Sequence, residues 1–417
     1  MFQYRDGRLC IDGLALDDIA SQYGTPCYVY SRADIEHAWR SYDRAFGARA
    51  HRIHYAVKAN ANLAVLDTLA RLGSGFDIVS GGELARVLAA RGKPGAIVFS
   101  GVGKTVVEME AALAADIGVF NIESPAELVR LDGVAGRVGR RARIAVRVNP
   151  DVDAHTHPYI STGLDENKFG VPMADAPDLY RVAAGLPNIE VTGVACHIGS
   201  QLTSLAPFAD AMARVMVLVE RLAAAGIELA HVDAGGGLGV RYHDETLPSI
   251  EDYVATLCRA IPSRYEICIE PGRSLVATAG ALLTTVEYLK VTPKRHFAIV
   301  DAAMNDLIRP ALYEAWHEVL PLREAGDEVP EQRFDLVGPV CESADFLAND
   351  RPLRLVPGAR LAIMGAGAYG HVMASNYNAR PRPPEIMVDA AGAHLVRARE
   401  SIAALYSGET LLPDASI

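Results

Sequence analysis

The stretch RIHYAVKANANLAVLDTLARL, Arg52 to Leu72, joins two kinds of pattern. Its IHYAV segment is β-branched, aromatic and small, which suits a buried strand. Its LAVLDTLARL segment repeats apolar residues at helical spacing. One strand followed by one helix is the unit of parallel α/β folds, and the chain repeats it. Further strand candidates are GFDIV (75–79), AIVFS (96–100), GVFNIE (118–123), RIAVRVN (143–149), VTGVACH (191–197), LAHVDAGGG (229–237) and YEICIEPG (265–272). Helical patterns such as GGELARVLAA, TVVEMEAALAA, SPAELVRL and FADAMARVMVLVERLAAAG lie between them. Eight such repeats over ~225 residues predict a (β/α)8 barrel. A doubly wound open sheet is the alternative, and the regularity of eight repeats favours closure.

After about residue 280 the rhythm changes. HFAIVDAAM, RFDLVGPVCE, RLAIMGAG and EIMVDAAGAHLVRAR are strand-like runs with turn residues between them. They predict an antiparallel β domain. RLCIDG and PCYVYS near the N-terminus are also strand-like and are expected to join it. The expected division is 1–32 with the β domain, 33–278 as the barrel, and 279–417 as the β domain proper.

The chain has 417 residues, half of them hydrophobic, and a net charge of −11. An acidic balance argues against nucleic acid as a partner, because phosphate backbones need basic patches. The six cysteines (Cys10, Cys27, Cys196, Cys258, Cys268, Cys341) show no CxxC spacing. Neither a metal site nor a disulfide framework is expected, and reduced thiols fit a cytoplasmic protein. The segment MFQYRDGRLCIDG lacks the apolar core of a secretory leader. The longest uncharged apolar run, SLVATAGALLTTV, is too short to span a bilayer, so no membrane role is expected.

Barrels of this kind place their active sites at the C-terminal ends of the strands. Lys58 falls at the end of the first strand. A lone lysine there is most often solvated, but a desolvated one forms Schiff bases. GGGLG (235–239) and EPGRS (270–274) follow strands seven and eight, the usual phosphate address of the fold. Glycines there let backbone N–H groups approach an anion closely, although a glycine run is often only a turn. Glu270 reads as a rim carboxylate, a general base, or the partner of a protonated ring nitrogen. His197 reads as a core histidine or as a ring lying flat against an aromatic cofactor. An amine, a phosphate nest and a carboxylate for a ring nitrogen are what pyridoxal 5'-phosphate requires.

Six motifs stand in one order: YAVKAN, HIGSQ, GGGLG, EPGRS, GPVCESADFLA and GAYG. With RVNPDVDAHTHPYISTGLDENKFG and VDAAMNDLIRPALY, they make the chain resemble the diaminopimelate decarboxylases, nearly end to end. That family belongs to the alanine-racemase-like class (fold type III) of pyridoxal-phosphate enzymes. The resemblance implies that Lys58 carries the cofactor, His197 stacks on its ring and Glu270 binds the ring nitrogen. It also implies that Ser200, Gly237, Pro271, Gly272 and Arg273 line the cofactor, with Arg273 reaching the substrate. Arg309, Tyr313, Glu342 and Tyr369 would grip the substrate, Tyr369 also touching the cofactor, and Cys341 would donate a proton. Cys341 and Glu342 would enter from a neighbouring subunit, so a homodimer is implied.

The substrate has an amino-acid group at each end, so its far end needs an anion partner and a cation partner. Arg309 and Tyr313 are four apart, on one face if locally helical, and Arg309 suits a carboxylate in a fork. Asp77, Asn149 and Lys168 are taken as structural or supporting. Two rivals remain: a decarboxylase of ornithine, lysine, arginine or carboxynorspermidine on the same fold, and a non-catalytic relative that binds the cofactor.

Overall fold

The computed structural model describes residues 1–152 and 168–413. Its chain divides into two compact units, Arg32–Thr278 and Met1–Ser31 with Ala279–Ile417.

In the first unit, eight parallel strands close into a barrel among the described residues. They are His51–Ala56, Gly75–Ile78, Ile97–Phe99, Val119–Ile122, Ala142–Asn149, Ile189–Cys196, His231–Asp233 and Glu266–Ile269. The eighth pairs with the first, Ile269 opposite Ile53, which closes the ring. A two-residue strand, Val171–Pro172, adds to the fifth. Several strands are buried along their whole length, as expected when helices cover the outside and side chains fill the inside. The helices start where the sequence supplies caps. Asn62 accepts from Ala64 N, Ser80 from Glu83 N and Ser124 from Glu127 N. Thr105 and Glu108 form a reciprocal capping box.

The barrel interior is not wholly apolar. His54, Asp77, Asn121, Asp233 and Glu270 are all buried. Such groups are tolerated only when hydrogen-bonded or when something binds them, so this layer marks where to look for function.

The second unit is built on the long strand Gly280–Val291. It pairs antiparallel with Cys27–Ser31, with Arg360–Met364 and with His296–Val300. The sheet is mixed rather than wholly antiparallel. Cys27–Ser31 pairs parallel with Glu385–Asp389, and His296–Val300 pairs parallel with Gln332–Val337. The reason is connectivity: each parallel pair joins strands separated by a long crossover, and no hairpin constrains their direction. The N-terminal strands Phe2–Arg5 and Arg8–Ile11 form a small sheet with Leu14–Ala15. Leu9, Ile11 and Leu16 pack into one core with Val29, Leu283, Leu322 and Ile386.

Candidate active site

Lys58 lies just beyond the first barrel strand, in a 3-10 turn over Val57–Ala59. Tyr55 donates its hydroxyl to Asn60 O at 3.0 Å and fastens that turn. The Lys58 ammonium donates to Asp77 Oδ2 at 2.7 Å. Asp77 sits in the second strand in register with Ala56, and its side chain is fully enclosed. Its other oxygen, Oδ1, is buried with no hydrogen-bond partner. A buried carboxylate satisfied on one side only is costly unless a bound group completes it.

Glu270 follows the eighth strand. Its backbone N donates to Gly235 O at 2.8 Å. Its Oε1 accepts from Asn121 Nδ2 at 3.3 Å, and the same amide donates to Ser100 Oγ at 3.0 Å. Burial holds the Glu270 carboxyl well above its ordinary range, and the carboxylates of Asp233 and Asp77 push it further. The cations of Lys58 and Arg147 oppose them only in part. A cation bound at Glu270 reverses that balance and favours the anion.

The loops after strands six, seven and eight meet backbone to backbone. A Cβ on Gly235 would lie 2.3 Å from Cys196 O, and one on Gly237 would lie 2.5 Å from Gly199 O. Both glycines have positive φ, +69° and +118°. Leu202 N donates to Gly237 O at 2.9 Å. No other residue fits this cradle, and its backbone can approach a phosphate closely. Arg273 is buried beside it, donating to Ser200 Oγ at 3.0 Å and to the Tyr242 hydroxyl at 2.9 Å.

His197 follows strand six and is half-buried. Burial, then the Arg147 and Lys58 cations, hold it well below its ordinary range, so the ring is neutral. Gly236 N donates to its Nδ1 at 3.2 Å, which leaves the ring proton on Nε2.

The other predicted residues belong to the β unit. Arg309 opens the short helix Arg309–Tyr313, so Arg309 and Tyr313 do share one helical turn. Arg309 is buried against His317, Nη1 to Nε2 3.4 Å. Cys341 and Glu342 are exposed on the loop before the strand Phe346–Leu353. Asp345 anchors that loop by accepting from Val340 N and Met304 N. Cys341 N donates to Asn378 Oδ1 at 2.8 Å. Tyr369 is held at φ +55°, a backbone region costly for a bulky residue.

Asn149 is buried and accepts from Asp151 N, and Lys168 lies over the Phe169 ring. The rest of the motif between them, residues 153–167, lies outside the described residues. Asp77, taken only as structural or supporting in the sequence, joins the site together with three residues the sequence did not single out. Asp77 holds Lys58, Asn121 and Asp233 reach Glu270, and Tyr242 reaches Arg273. The one signal in the sequence is a charged residue inside an apolar strand pattern, as in GFDIV and AHVDA. Among the described residues, His54, Asp233 and Cys268 have ligand-type atoms within 4.8 Å of one another. Asp233 is already engaged by Gly235 N and Glu270, so this trio reads as a polar core layer.

The barrel mouth fits pyridoxal phosphate. It offers an amine, a half-satisfied buried anion beside that amine, a carboxylate raised until it meets a cation, and a glycine cradle. Comparison with known proteins points the same way. Residues 32–277 match the pyridoxal-dependent decarboxylases over their pyridoxal binding domain. The chain is 55% identical over 416 residues to a diaminopimelate decarboxylase of Vibrio cholerae, covering 99% of both chains. It is 57% identical over 413 residues to one of Pseudomonas aeruginosa, again covering 99% of both. A crystal structure of diaminopimelate decarboxylase from M. jannaschii in complex with L-lysine superposes with a TM-score of 0.95 at 39% identity, covering 99% of this chain and 98% of that one.

Proposed function

The chain belongs to the diaminopimelate decarboxylase family, and from that premise we propose which of its residues carry the family's reaction. It is a carboxy-lyase that converts meso-2,6-diaminopimelate to L-lysine and CO2, the last step of lysine biosynthesis. Pyridoxal phosphate supplies an aldehyde for the substrate amine and, with its ring nitrogen protonated, a sink for the electron pair that CO2 leaves behind.

Lys58 binds the cofactor aldehyde through Nζ, and Asp77 positions that nitrogen at the mouth. Glu270 keeps the proton on the ring nitrogen. Gly237 and Gly272 bring backbone to the phosphate, Pro271 stiffens the turn between strand and cradle, and Ser200 with Arg273 completes the grip. Neutral His197 lies against the ring without opposing its cation. Arg309 and Tyr313 hold the distal carboxylate, Glu342 the distal ammonium, and Tyr369 contacts both cofactor and substrate. Cys341 Sγ delivers a proton to Cα.

The observation that carries this reading is the barrel mouth, where Lys58 rests on buried Asp77 beside Glu270 and the glycine cradle. The homodimer is supported by the exposed position of Cys341 and Glu342, on a loop whose base is firmly anchored. A reducing, cytoplasmic setting is supported by six free thiols. No helix among the described residues is long and apolar enough to cross a membrane.

The test is a substrate panel. The purified protein loaded with pyridoxal phosphate should release CO2 from meso-diaminopimelate. It should release little from ornithine, lysine, arginine or carboxynorspermidine. Comparable turnover of ornithine would remove the distal clamp from the account. No turnover of any of them would favour the non-catalytic relative.

A further inference from the structure

Asp233 ends the seventh barrel strand and is only 2% exposed. Its Oδ1 accepts from Gly235 N at 2.9 Å and so pins the first glycine of the cradle. Its carboxyl faces that of Glu270 in the barrel interior, and the two act on each other directly. Two carboxyl groups bond to each other only while one keeps a proton. A separate backbone bond, Glu270 N to Gly235 O at 2.8 Å, ties the same two loops together.

We propose that Asp233 is a positioning residue for the cofactor's ring nitrogen. It takes up the proton of the Asp233–Glu270 pair, leaves Glu270 as the anion, and locks that carboxylate to the glycine cradle. The inference rests on Glu270 being the ring-nitrogen partner. The step balances as one proton moving from the Glu270 carboxyl to the Asp233 carboxyl. No electron or further group is exchanged.

The surroundings support this direction. Glu270 and Cys268 face Asp233 from the eighth strand, Asp77 from the second and Arg147 from the fifth. Cys196 of the sixth strand, His54 of the first and Tyr253 of the helix Ile250–Ala260 complete the shell. Burial keeps both thiols and the Tyr253 phenol protonated, and it pushes His54 down to about 3, so all four are neutral. The groups left to exchange a proton are the two carboxyls. Burial raises both, Asp233 to about 7. With no cation opposite Glu270 beyond Lys58 and Arg147, Glu270 holds the shared proton. Opposite a cationic ring nitrogen the Glu270 anion is favoured, and Asp233 receives it.

Without the Asp233 donor, the buried Glu270 carboxylate becomes more basic and competes with the ring for its proton. The readout is the ¹⁵N chemical shift of ring-labelled pyridoxal phosphate bound to the whole protein. In Asp233→Ala the shift should move toward that of a neutral pyridine. In Asp233→Asn, whose amide keeps both an acceptor for Gly235 N and a donor for Glu270, it should stay at the wild-type value. As pH rises from below to well above neutrality, the wild-type shift should drift toward neutral pyridine while Asp233→Asn stays flat. Glu270→Gln should move the shift at every pH. If Glu270→Gln moves it and Asp233→Ala does not, this inference is wrong and the Glu270 role stands. If Glu270→Gln leaves it unchanged, the Glu270 role fails and the inference fails with it. Should Asp233→Ala not fold, Asp233→Asn still decides: a shift like that of Glu270→Gln, or an unaltered wild-type pH drift, overturns the proposal.

Discussion

Glu270 is a buried acid placed among other acids, and burial with Asp233 and Asp77 holds its carboxyl well above the ordinary range. Glu270→Gln removes the charge and leaves the glycine cradle intact. Cofactor binding should survive while kcat falls by about 10²-fold, the usual scale for losing one preorganised electrostatic partner. Absorption of the bound cofactor and steady-state kinetics on the same sample separate the two effects. Equal activity at full occupancy would show that Glu270 is not the ring partner. Arg309 is a buried cation in the β unit, proposed to meet the distal carboxylate. Arg309→Ala should cost about 2–4 kcal/mol in kcat/KM for diaminopimelate, roughly 30- to 1000-fold. Intact turnover by that variant would end the clamp idea. At this scale contiguous motifs placed Lys58, His197 and Glu270 at strand ends, where the structure has them, while Arg273 entered through the family resemblance. The sequence marked Asp77 only as structural or supporting and did not single out Asp233. A lone aspartate inside a strand has no local mark of whether it faces a lysine, a second acid or the core.

The elements were the most legible level, because hydrophobic period and end-capping residues are local. Ser80, Thr105, Ser124 and Ser249 all stand at helix N-termini and accept from the first turn. Thr105→Ala breaks a reciprocal cap and should cost about 1 kcal/mol of stability. Denaturant unfolding reads that loss, and activity below the transition should not change, since the capped helix lies on the outer ring. The glycine cradle is the contrasting case. Gly235 has φ +69°, and a Cβ there would meet Cys196 O at 2.3 Å. Backbone cannot yield as a flexible side chain can. Gly235→Ala should therefore weaken pyridoxal phosphate binding by at least tenfold, measured by titrating the apoprotein. Wild-type affinity would mean the cradle does not approach the phosphate. The mixed pairing of the β unit was not legible. Strand direction depends on which distant segments pair, and residue alternation looks the same in parallel and antiparallel edges.

For the whole molecule the question is whether one chain builds a complete site. Lys58 belongs to the barrel unit and Cys341 to the β unit, on an exposed loop. If Cys341 is delivered across a two-fold dimer, Lys58→Ala and Cys341→Ala chains rescue each other when mixed. Each mixed dimer then holds one intact site and one doubly damaged site, and random exchange leaves about one quarter of all sites intact. Each variant is purified alone, then the two are dissociated mildly, mixed and reassembled. Activity should approach a quarter of wild type. No rescue, with exchange verified by a tag, would place Cys341 in its own chain's site or outside catalysis altogether. The sequence by itself determined the barrel, the β unit that takes in the N-terminal strands, and the contiguous motifs at the strand ends. Those rest on periodicity, caps and glycine geometry within a few residues. Only the tertiary structure decided that Asp77 holds Lys58, that Asp233 accepts from Gly235 N in the cradle, and that the second sheet is mixed. Each of these depends on pairing between strands distant in the chain, and within the barrel ring closure sets the register.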